Sequence, residues 1–236
     1  MKTRAWYVAR GAWVALVLAA PALQAQTLQQ RVASAPDGSV RFSFAARPGV
    51  YGNGRNTISW DCDKGNCHSR QVDGNWEDRD DWQTPCDSGP VRVALYKSNG
   101  RITDLRVYVG GQWRTSTGGA TDLGTVGTKD ATSYLLALAL RDESRAAEKA
   151  IFPAVLADSV TIWPDLLKIA KSTDVSRKVR RSAVFWLGQA AGDAATKGLT
   201  DLVDDGGQDR EVRESAVFAL SQRPRDEGVP VLIRIA

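Results

Sequence analysis

Two stretches of this chain are near copies of each other. Val179–Gln189 and Val212–Gln222 agree at eight of eleven positions and stand 33 residues apart. One period earlier, Ala150-Ile151-Phe152 falls in register with Ala183-Val184-Phe185 and Ala216-Val217-Phe218. The intervening segments keep the same step: Leu166, Ile169 and Ala170 correspond to Leu199, Leu202 and Val203, then to Leu232, Ile235 and Ala236. Pro164 returns two periods on as Pro230. A period of this length is one supersecondary unit, which cannot bury its apolar face alone and must stack on its neighbours.

Each unit reads as two helices. The first, Arg177–Gly188 in the middle copy, is apolar almost all round, which predicts a helix sandwiched between neighbours. The second shows one stripe at i, i+3, i+4 and is expected to pack on one side only. Ser176 and Asp209 precede the first helix and are candidate N-caps; Gly192 and Gly206-Gly207 punctuate the ends. Phe152, Phe185 and Phe218 are expected to line up along a spine hidden between copies. The sequence stops at Ala236 inside its last apolar stripe, so further units are expected to follow.

The ankyrin and tetratricopeptide signatures do not fit these units. The pattern Val179-Arg180…Ala183…Leu187-Gly188, and Asp209…Val212-Arg213…Ala216…Leu220, resembles the short bacterial HEAT repeat of the phycobilin-lyase type. The resemblance covers residues 144–236 and departs in the first unit, where Ala146-Ala147 replaces Val-Arg and Pro153 lies in the helix. It implies an armadillo-type α-solenoid of about three units, with a long curved surface for a protein partner. It does not carry a lyase site. Arg180 and Arg213 recur once per unit and are candidates for that surface; the alternative is that they pair with an acid of the adjacent unit, Asp209 or Glu211, and align the stack.

The chain changes character near residue 128. Of its 21 glycines, 14 lie between Gly38 and Gly127, among short alternating runs. Val91–Tyr96 and Ile102–Val109 flank Asn99-Gly100, a strong hairpin signal because both turn residues take positive φ. The expectation is an α+β chain: a small antiparallel β module over 38–120, a bridging helix over 128–143, and the helical array over 144–236.

The module carries its own candidates. Asp73–Trp82 is an acidic loop flanked by Trp76 and Trp82. It lacks the Gly and Glu of an EF-hand loop: Asp78 and Thr84 stand there instead. Trp76 and Trp82 could stack on a carbohydrate or envelope ligand with the helical units as spacer, or pin the loop onto the sheet. A glycoside hydrolase using the carboxylates of 73–81 is a weaker alternative. Cys62, Cys67 and Cys86 are disulfide candidates, and a longer loop closed by Cys86 is favoured over a local Cys62–Cys67 bridge. Structural zinc spacing is absent, so no metal is expected.

Lys2, Arg4 and Arg10 precede the apolar run Gly11–Ala20, with small residues at Ala20, Ala22 and Ala25. This reads as a secretory signal peptide over 1–25, cleaved near Ala22 or Ala25, for a secreted or periplasmic protein with no membrane span afterwards. Without it, 28 Lys and Arg face 27 acids, which gives no field for nucleic acid. No P-loop, GxGxxG, GxSxG or HExxH occurs, so neither catalysis nor a cofactor is expected. The functional expectation is an extracytoplasmic scaffold that binds a protein partner.

Overall fold

A computed structural model describes residues 26–63, 66–71, 86–113, 119–141, 144–190, 193–223 and 226–236; side chains of 61–71 and 193 are outside the description. The fold is α+β. In chain order its elements are α1 (Leu28–Ser34), β1 (Gly38–Phe44), β2 (Tyr51–Gly52), β3 (Thr57–Asp63), β4 (Asn66–Gln71), β5 (Asp87–Ser88), β6 (Val91–Ser98), β7 (Arg101–Val109), β8 (Ala120–Thr125), then α2 (Thr128–Arg141), α3 (Arg145–Val155), α4 (Trp163–Lys171), α5 (Arg177–Gln189), α6 (Asp193–Asp204), α7 (Arg210–Ser221) and α8 (Val229–Ile235).

The β region corrects the expectation of one antiparallel sheet. Among the described residues it forms two four-stranded sheets, ordered β7-β6-β1-β8 and β4-β3-β2-β5. The first is mixed, because β8 runs parallel to β1. Ala-Thr-Asp-Leu-Gly-Thr has no apolar alternation, so periodicity could not flag β8. The β6–β7 hairpin is as expected: Val91, Val93 and Leu95 pair with Val109, Val107 and Leu105, all buried, and Asn99 and Gly100 take φ of 51° and 74°. Asp37 accepts from the Asn99 and Gly100 N–H groups and steadies the turn. The sheets meet tightly at the end of β7, where a Cβ on Gly52 would stand 2.6 Å from the Val109 carbonyl.

Helix α1 was not foreseen. Thr27 and Gln30 form a capping box at its start. At its other end the buried Lys97 ammonium donates to the carbonyls of Val32, Ala33 and Ala35 (2.6–3.2 Å). These are the carbonyls a helix terminus leaves unsatisfied, and the cation meets the negative end of the dipole.

In the helical half, the period selects one buried stripe. Ala146, Ala150 and Ala154 of α3, Val179, Ala183 and Leu187 of α5, and Val212, Ala216 and Leu220 of α7 are at most 1% exposed. Helix α5 packs on α3, α4, α6 and α7. Gly188 lets α5 approach α7: a Cβ there would sit 2.9 Å from the Ala219 Cβ. Pro164 and Pro230 lie in the first turns of α4 and α8, where the missing N–H costs nothing. Ser176 caps α5, accepting from the Val179 N–H. Asp209 stands at the N-cap of α7 without a side-chain cap bond.

The phenylalanine expectation is overturned. Phe152 is 5% exposed, but Phe185 is 44% and Phe218 58% exposed. The stripe at i, i+4, i+8 takes the inside of each lead helix, which turns the Phe of α5 and α7 outward. Phe152 is buried because the β region covers it. Its ring stands 5.4 Å from both Trp60 and Trp186, which are 5.6 Å from each other. This node ties β3 to α3 and α5, and the buried cluster runs unbroken from Leu28 to Leu220. The Arg47 N–H to Leu156 carbonyl bond (2.9 Å) and the Ala46–Ala157 bridge add a backbone link.

A second link is ionic. Lys149 of α3 donates to Asp104 of β7 at 2.7 Å. Burial raises the Asp104 carboxyl, but the Lys149 bond, the Leu105 N–H and the charges of Lys149 and Arg145 outweigh it, leaving the group below its ordinary range. A depressed carboxyl pKa contributes stability above the unfolded value and loses it as pH falls through the folded one. The unfolding temperature of the wild type should therefore fall more steeply between about pH 5 and pH 3 than that of Asp104→Asn, the two converging at the acid end. Parallel curves would contradict the link.

Candidate interaction surface

The arginines flagged by the repeat occupy different settings. Arg180, on α5, is 2% exposed. Its Nε donates to the Ala170 carbonyl at 3.3 Å, its Nη1 to the Asp209 carboxylate and its Nη2 to the Gln208 side-chain oxygen. It binds the end of α4 to the start of α7, which also explains why Asp209 does not cap its own helix. Arg180 is therefore a buried pin, not a surface group. Arg213, one period on, is half-buried, and its Nε has no hydrogen-bond partner among the described residues.

A second pin carries no repeat signature. Arg223 is 5% exposed and donates to the carbonyls of Gly188 and Ala190, to Thr196 Oγ1 and to Glu227. It fastens the end of α7 to the ends of α5 and the start of α6. One period back stands Ala190, so no recurrence marks it.

Trp76, Trp82 and the loop 73–81 lie outside the described residues. Cys62 and Cys67 stand on β3 and β4, beside the Asp63–Asn66 pair, with their side chains outside the description. Cys86, the third candidate, is an exposed free thiol among the described residues. Burial, then the neighbouring Asp87, raises its pKa.

The outward faces of α5 and α7 do form a site. Between them runs an open groove of about 630 Å³. Its lining residues are repeat-equivalent pairs 33 apart: Lys178 and Glu211, Arg181 and Glu214, Ser182 and Ser215, Phe185 and Phe218. The apolar members match while the charges invert, so one bank is basic and the other acidic. Glu211 lies between Arg177 (3.0 Å) and Arg181 (3.9 Å), Lys178 pairs with Glu148 (3.3 Å) and Glu214 with Arg210 (2.7 Å). These pairs are exposed and individually weak. The groove offers two large exposed rings between charged banks. Comparison with protein-family models, with curated proteins and with solved structures gives no match to this chain.

Truncating Arg180 leaves the Gln208, Asp209 and Ala170 acceptors without their donor. Arg180→Met is expected to cost about 2–4 kcal/mol of unfolding free energy, and Asp209→Ala, which leaves the buried Arg180 guanidinium without its anion, about 3–5 kcal/mol. Urea unfolding of both variants and the double variant reads the coupling; additive losses would show that the two do not act as a pair.

Proposed function

We propose that the chain is an extracytoplasmic protein-binding scaffold, built as a HEAT-like α-solenoid whose first unit is covered by the β region. What carries the reading is that one 33-residue period governs two faces at once: the stripe ending in Leu187 and Leu220 is buried, while Lys178, Arg181, Ser182 and Phe185 and their counterparts Glu211, Glu214, Ser215 and Phe218 line one groove on the outer side. A repeated inside makes an array, and a repeated outside makes an elongated contact surface. The N-terminal Lys2, Arg4, Arg10 and apolar run support export, with cleavage near Ala22 or Ala25. The proposed role is binding, with no catalytic step.

A photoreactive residue in place of Ser182 or Ser215, in the groove, should capture discrete protein adducts in the extracytoplasmic fraction. The same residue in place of the exposed Lys168 on α4 should capture none. Equal patterns from all three positions, or no adduct from the groove, would count against the reading.

A further inference from the structure

Resting on the proposal that the α5–α7 groove binds a protein, we infer that its occupant is a second copy of this chain, docked by two-fold symmetry with the axis parallel to α5 and α7. A self-complementary patch is what an isologous dimer requires. The two helices lie side by side in equal register, since Glu211 is bracketed by Arg177 and Arg181. An axis along the groove lays α5 of one copy over α7 of the other. Lys178 then faces Glu211, Arg181 faces Glu214, and Phe185 faces Phe218, each at the same height along the helices.

The charges also select this axis over the other two-fold. An axis across the helices would lay α5 on α5, setting basic bank on basic bank and acidic on acidic, which is repulsive. Phe185 and Phe218 are 44% and 58% exposed, so each ring has apolar area left to bury, and the opposed pair buries both. The intrachain pairs of the rim are exposed and screened, so exchanging partners across an interface costs little.

The test uses charge reversal of these exposed residues, with circular dichroism confirming the fold of each variant. The purified protein should sediment as a dimer. Lys178→Glu with Arg181→Glu makes both banks acidic, and Glu211→Lys with Glu214→Lys makes both basic; each protein alone should lose the dimer. Mixed one to one, the two should regain it as a heterodimer. In a Cys86→Ser background, Ser182→Cys should cross-link to Ser215→Cys of another copy and not to itself. A wild-type monomer at all concentrations, a dimer indifferent to reversal, or a mixture that stays monomeric would overturn the inference. Should the wild type be monomeric while groove positions still photo-cross-link a different protein, the dimer fails and the binding reading stands. Should neither association nor adduct occur, both fail.

Discussion

The helical half depends on apolar surface that a single helix pair cannot hide. Val179, Ala183 and Leu187 are buried because α3, α4, α6 and α7 surround α5, and Val212, Ala216 and Leu220 are buried against α5 and α6. Burying one such Val or Leu contributes about 1.5–3 kcal/mol, and here the benefit is realised only when neighbours are in place. The small residues matter as much as the large ones. Gly188 against Ala219 sets how closely α5 and α7 approach, and that approach defines the groove on their outer side.

Directional bonds then fix what apolar packing leaves loose. Arg180 and Arg223 each span three elements and satisfy carbonyls at helix ends that would otherwise be buried without donors. Lys97 does the same for α1. The β region adds rigidity from the other side: Trp60 wedges against Phe152 and Trp186, and Lys149 reaches Asp104. The first unit is thereby anchored, and the outward rings of α5 and α7 are presented from a firm base.

Much of this was legible in residues. The Asn99-Gly100 turn between alternating runs located β6 and β7, and the 33-residue step located the helices from α3 onward. What periodicity could not say was which apolar positions face inward. Ala183, Leu187 and Phe185 all recur, but only the first two fall on the side shared with neighbours; Phe185 lies on the other face. For Arg180 the repeat offered two readings, a partner surface or a pairing with Asp209, and burial beside Asp209 selects the second. Arg223 and Lys97 act once each, so no repeat flagged them, and β8 and α1 carry too few apolar residues to show a period. The charge inversion at 178/211 and 181/214 was present in the aligned copies, but it gains meaning only once the two helices are seen side by side.

The central claim is that the lead helices share their buried faces. Native-state hydrogen exchange of Leu220→Ala tests it most directly. Removing that α7 side chain, at a cost of about 2–5 kcal/mol, should speed exchange of the Val184–Leu187 amides of α5 as well as those of α7. Loss of protection confined to α7, with α5 unchanged, would contradict the account.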